Sequence, residues 1–221
     1  MSRAARLPVT ALALCIAFAG CSDEHSSVAP PPPPPIPGPV MERFVLAYEQ
    51  KKPAQYQAVF TGDFTFEFSN ATDPLLVQQY STGWFKNDEK ESSNHLFNGY
   101  TPPGGMQLPA ATTIDIHLAS DIPTDDNTSI DPRTHKVLLT RVDGSITVPQ
   151  SGSPPLTYEI TNNLNQFFLV RGDLADSLES TQPADSLHWY IYRWVDLSET
   201  TPGNRPATQT KTWAALKANY R

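Results

Sequence analysis

Gly62-Asp-Phe-Thr-Phe-Glu-Phe68 alternates polar and apolar residues without a break from Asp63 onward. Phe64, Phe66 and Phe68 share one face and Thr65 and Glu67 the other, the period-two pattern of a half-buried strand. Upstream the period changes. Val40, Phe44, Ala47 and Tyr48 recur at helical spacing, with Glu42, Arg43, Glu49 and Lys51 on the opposite side. Pro53 ends that helix and opens a second one that carries Tyr56, Val59 and Phe60.

Downstream, Asp73-Pro74 begins a short helical stretch through Tyr80, and Trp84 follows in a turn. Asn87 or Asp88 caps a helix running to Phe97, with Glu89, Lys90 and Glu91 exposed and Leu96 and Phe97 buried at its end. Residues 99–109 read as loop. Thr112 to Leu118 alternates again, setting Ile114, Ile116 and Leu118 against Thr113, Asp115 and His117. Three long strands close the domain: Lys136 to Val148, Thr157 to Arg171 and Leu187 to Asp196. Asp143-Gly144 reads equally well as a hairpin turn or as a bulge within the first of them. Thr212 caps a short final helix carrying Trp213, Leu216 and Tyr220. Helices first and strands after predict an α+β domain, with a curved antiparallel sheet wrapped around the N-terminal helices.

This domain begins at Val40 and extends to Arg221. Residues 1–20 have the layout of a secretory signal peptide: basic Arg3 and Arg6, an apolar run from Leu7 to Phe18, then small residues. The segment Ala17-Phe-Ala-Gly-Cys21 resembles the lipobox of bacterial lipoproteins, departing from it at Phe18 where leucine is usual. It implies an acyl-modified Cys21. Cleavage after Ala19, leaving a free thiol, is the alternative. Residues 21–39 follow as a tether, in which eight of the 22 prolines crowd into Pro30 to Pro39. Such a composition cannot bury a core, and polyproline rising ~3.1 Å per residue would span on the order of 30 Å. Ser22, in place of aspartate, favours the outer membrane in a cell with two membranes.

Without the leader the chain carries 14 basic and 23 acidic side chains, a formal charge of −9. That surface repels phosphate backbones and anionic headgroups, so nucleic acid is excluded as a partner and membrane attachment is expected through lipid at Cys21. The only other cysteine, Cys15, lies in the leader, so no disulfide is expected within the mature chain.

The helix with Phe-Val-Leu-Ala-Tyr at 44–48, the strand at 62–68 and Trp-Tyr-Ile-Tyr-Arg-Trp-Val-Asp at 189–196, taken in order, resemble the nuclear transport factor two-like superfamily, which includes ketosteroid isomerase-like enzymes. More narrowly, they resemble uncharacterised bacterial lipoproteins sharing the Gly-Asp-Phe, Leu-Phe and Trp-x-Ile-x-Arg-Trp-x-Asp pieces. The resemblance spans roughly 40–198, with residues 212–220 as a decoration. It implies a conical half-barrel with a pocket at its wide end. In the enzymes of the superfamily a carboxylate or histidine inside the cone moves a proton; other members use it only to bind or to dimerise, so the fold leaves function open.

Tyr48, Phe64, Phe66, Trp189, Tyr190, Tyr192, Arg193 and Trp194 are the candidate pocket lining. Aromatic faces beside a guanidinium suit a small apolar or planar ligand. The structural alternative is that the aromatics fill the core and Arg193 pairs with a carboxylate such as Asp196 or Glu159. Asp115 and His117 share a strand face and could form an acid/base pair, but opposite Ile114, Ile116 and Leu118 they are expected to face outward. The acidic loop Asp125 to Asp131 lacks the glycine and glutamate of a calcium loop, with Ile130 and Lys136 in their places. The five histidines have no metal-ligand spacing, and no nucleotide or nucleophile-elbow motif occurs. No catalytic residue, metal or cofactor is therefore assigned. The expected role is a lipid-anchored envelope protein with a non-catalytic binding or interaction domain, with a second copy of the chain among the candidate partners. The alternative is an isomerase- or dehydratase-like enzyme using an ionisable group inside the cone.

Overall fold

The structure is a computed structural model that describes residues 38–71, 73–119, 122–124, 131, 133–198, 209–210 and 212–221. The predicted signal peptide, Cys21 and most of the tether lie outside the described residues. Helix α1 (Gly38–Glu49) begins two residues before the expected boundary, because Pro39, lacking an N–H, fits a first turn where none is needed. It buries Val40, Met41, Phe44, Ala47 and Tyr48. After α2 (Pro53–Gln57), strand β1 (Phe60–Glu67) starts earlier than predicted and takes Phe60 from the expected helix. Helix α3 (Pro74–Gln79) buries nothing. Trp84, read as part of a turn, opens a two-residue strand β2 (Trp84–Phe85) paired to β1. Helix α4 (Lys86–Asn98) begins where the Asp88 carboxylate accepts the Phe85 N–H at 2.8 Å.

The strands β3 (Thr113–Leu118), β4 (Ile122–Thr124), β5 (His135–Gln150), β6 (Ser153–Arg171), β7 (Trp189–Asp196) and β8 (Gln209–Thr210) follow, then α5 (Trp213–Asn219). The sheet runs β2-β1-β7-β6-β5-β3, with β4 also on β5 and β8 on β6. It is mixed, which corrects the antiparallel expectation. β1 lies parallel to β7, and β8 parallel to β6. Parallel neighbours need a long connection, and β1 and β7 are joined only through the body of the chain.

Asp143-Gly144 is a bulge. The β5–β6 register passes from Val142↔Asn163 to Gly144↔Ile160, which bends both strands. A Cβ at Gly144 would stand 2.2 Å from the Asp115 carbonyl oxygen, so only glycine lets β3 approach here. A second bulge falls in β7, where Phe168↔Arg193 is followed by Leu169↔Ile191 and Tyr192 is left over. The core collects residues of α1, α2, α4 and α5 on one side of this sheet. Phe44 sits at its centre, within 5.4–6.4 Å of the rings of Tyr48, Tyr56, Phe60, Phe167, Trp194 and Trp213. The final helix is thus part of the core, not the decoration expected. Thr212 caps it as predicted, accepting the Ala215 N–H at 3.0 Å.

Candidate functional site

The most concentrated buried chemistry lies where α4 meets α5. Glu89, expected at the surface with Lys90 and Glu91, is 1% exposed. The helical face that carries Leu96 and Phe97 continues back through Ser92 and Ser93 to Glu89, all buried. Lys217 stands four residues after Trp213 on the inward side of α5 and is 0% exposed. Tyr56 donates its hydroxyl to Glu89 Oε1 at 2.6 Å, and Trp84 Nε1 and Lys217 Nζ donate to Oε2 at 3.0 and 2.8 Å. The ammonium also lies 3.8 Å and 3.9 Å from the ring centroids of Phe66 and Trp194, a cation–π clamp. Ser92 Oγ donates to the Lys217 carbonyl at 2.7 Å, fastening the backbone of α5 as well.

Burial lowers the pKa of Lys217, opposed by the Glu89 carboxylate. Burial first, and Glu89 second, hold the Tyr48 and Tyr56 phenols well above their ordinary range, so both stay protonated at neutral pH. Nearby, Asp196 is 2% exposed, and Ser198 donates both its backbone N–H and its hydroxyl to Oδ1. Among the described residues Oδ2 has no hydrogen-bond partner, and burial raises the carboxyl pKa.

Of the candidate lining residues, Tyr48, Phe64, Phe66, Trp189 and Trp194 are in the buried core. Trp194 Nε1 donates to Asn165 Oδ1 at 2.7 Å. Tyr190 is buried apart from that cluster, its hydroxyl donating to the Pro183 carbonyl at 2.9 Å. Tyr192 and Arg193 are half-buried and pack about Phe168, with the Arg193 guanidinium 4.8 Å from that ring. The bulge at Tyr192 interrupts the alternation of side chains along β7. Arg193 pairs with Glu67 across β1 at 2.6 Å, not with Asp196 or Glu159. Asp115 and His117 form a 3.3 Å pair with side chains 61% and 71% exposed, facing outward as expected. In the acidic loop, residues 125–130 lie outside the described residues, and Asp131 is engaged by Arg133, which holds its carboxyl at about 2.

Among the described residues, two clefts open elsewhere. One of about 430 Å³ lies between α1 and β3, lined by Met41, Val45, Leu46 and Leu118 with Glu49 and His117 among its polar residues. The other, of about 810 Å³, lies between the 106–109 loop, the β5–β6 hairpin and the end of α5. None of the candidate lining residues borders either one.

No family model matches the chain, and no curated protein matches it. Solved structures do. The chain is similar to nuclear transport factor two-like proteins. One such protein, of unknown function in nutrient uptake from Rhodospirillum rubrum, matches at 9% identity and a TM-score of 0.40, over 72% of this chain and 93% of its own. A ketosteroid isomerase-like protein from Erwinia carotovora atroseptica matches at 11% and 0.40, over 72% and 91%. A provisionally named scytalone dehydratase from Novosphingobium aromaticivorans matches at 10% and 0.46, over 78% and 89%. Identities and scores of this size assign neither a family nor an activity to the chain.

As built, the Glu89 cluster cross-links α2, α4, β2 and α5. Both carboxylate oxygens are engaged by protein donors, and Tyr56, Trp84, Glu89 and Lys217 are each 0–1% exposed, so a substrate has no route to them while α5 is seated.

Proposed function

We propose that this chain is a lipid-anchored envelope protein whose folded part, a nuclear transport factor two-like cone, binds or docks without turning a substrate over. The observation that supports the non-catalytic half is the seating of α5. Trp213, 1% exposed, packs among Phe44, Tyr48 and Trp194, and Lys217 closes the Glu89 cluster, so the chain's own C-terminus occupies the interior. A second reading keeps catalysis. With α5 withdrawn, Glu89 would stand beside Tyr56 as a carboxylate able to move a proton, as an isomerase- or dehydratase-like enzyme requires. The two readings differ in whether reagents in solution reach Lys217 in the folded protein.

The anchor rests on the sequence Ala17 to Cys21. In cells expressing the full chain, Cys21→Ala should move the protein from the membrane fraction to the soluble fraction. Each acyl methylene buried contributes ~0.8 kcal/mol, and removing the acceptor removes all of them. Unchanged partitioning, or an intact Cys21 thiol found by mass spectrometry of the purified protein, would refute the anchor.

A further inference from the structure

The cleft of about 810 Å³ at the end of α5 shares no residue with the Glu89 cluster. Its volume lies within the ~300–1,000 Å³ of small-molecule sites. Its walls include Leu108, Pro109, Val148, Leu156, Tyr158 and Tyr220, and no residue lining it is Asp, Glu, Lys, Arg or His. In a chain of formal charge −7 an uncharged concavity of this size is a marked local departure. Its polar lining consists of neutral amides and hydroxyls, among them Gln107, Gln150 and Asn219.

The walls are fixed before any ligand arrives. Tyr220 donates its hydroxyl to the Pro109 carbonyl at 3.1 Å, and its own carbonyl oxygen lies 2.8 Å from His95 Nδ1. His95 stacks on Tyr100 with ring centroids 3.7 Å apart. Tyr100 exchanges backbone hydrogen bonds of 2.8 and 2.7 Å with Leu108, which holds the loop carrying Met106 and Pro109. The opposite wall is the β5–β6 hairpin, in register at Val148↔Leu156. Three separate segments therefore converge on one preorganised concavity, which lowers the ordering cost of binding. Burial pushes the Tyr220 phenol up to about 12 and raises that of Tyr158, so both walls stay neutral at physiological pH.

We infer that this cleft is a binding site for a neutral, largely apolar small molecule carrying a hydroxyl or carbonyl for the amide and hydroxyl groups of its lining. A charged ligand would leave water without meeting an opposite charge. The inference rests on the reading of the domain as a binder, and gives that reading a place and a ligand class.

The chain has three methionines, which makes the test site-specific: Met106 borders this cleft and Met41 borders the other one. The full chain, labelled with carbon-13 at the methionine methyls, is titrated with 2-naphthol and followed by NMR. The Met106 methyl should move saturably while Met41 stays in place. Leu156→Glu, which puts a charge into the apolar wall, should weaken the midpoint about tenfold or more without shifting Met41 in the unliganded protein. Leu108→Glu, from the facing loop, repeats the test should the first variant fold poorly. Movement of Met41 alone, movement of both methyls together, a non-saturating response, or a midpoint unchanged in both variants overturns the inference. A mobile Met106 signal with Lys217 freely reactive would retain the cleft and defeat the filled-interior reading, so the two fail separately.

Discussion

Lys217→Met should lower the unfolding free energy by about 3–5 kcal/mol, the range for removing one partner of a buried ion pair. The loss is large because Glu89 keeps its carboxylate at 1% exposure with only Tyr56 and Trp84 left as donors. Methionine keeps most of the apolar stem, so the change removes chiefly the ammonium that lies over Phe66 and Trp194. Glu89→Gln should be costly for the converse reason, leaving an ammonium in the core with weaker acceptors. The double variant Glu89→Gln/Lys217→Met should cost less than the sum of the two, because it removes both charges while an amide oxygen still accepts from Tyr56 or Trp84. Urea unfolding of the four proteins checks this. Additive losses would mean that the pair is not coupled as the geometry requires.

Trp213→Ala should cost about 3–5 kcal/mol, as truncation of a fully buried aromatic does. The indole lies 4.7 Å from Tyr48, 5.9 Å from Trp194 and 6.2 Å from Phe44, centroid to centroid, so its loss opens a hole at the centre of the core. Trp213→Phe should cost much less. Among the described residues the indole N–H has no hydrogen-bond partner, so phenylalanine forfeits volume but no bond. In the alanine variant, hydrogen exchange at residues 212–221 should accelerate well beyond that of β6, because α5 loses its main apolar anchor. Equal stability of the alanine and phenylalanine variants would show that the helix is held by its ion pair alone.

Much of this architecture can be read locally. Phe64 and Phe66 turn inward because the alternation of 63–68 is unbroken, and Asp115 and His117 turn outward because Ile114 and Ile116 claim the other side. Thr212 is legible as a cap because a hydroxyl precedes Trp213, Leu216 and Tyr220 at helical spacing. What is not legible depends on partners distant in sequence. The direction of β1 relative to β7 leaves no local mark, since both residue patterns suit either pairing. The bulge at Tyr192 comes from the fit of β7 against β6, and no residue pattern within β7 marks it. Glu89 and Lys217 are the largest omission. A charge on a helix is ordinarily assigned to solvent, although their spacing to Leu96 and Phe97, and to Trp213, places both on buried faces. A charge is stable there only because its opposite arrives from 128 positions away.

Helix α5 fills the interior of the fold. Brief acetylation of the folded full chain with an N-hydroxysuccinimide ester, read peptide by peptide in a mass spectrometer, tests it most directly. Lys52 and Lys90, both exposed, should be modified, while Lys217, 0% exposed and bonded to Glu89, should stay unmodified until urea unfolds the protein. Acetylation of Lys217 in the folded protein at a rate comparable to that of Lys90 would show that α5 does not close the interior.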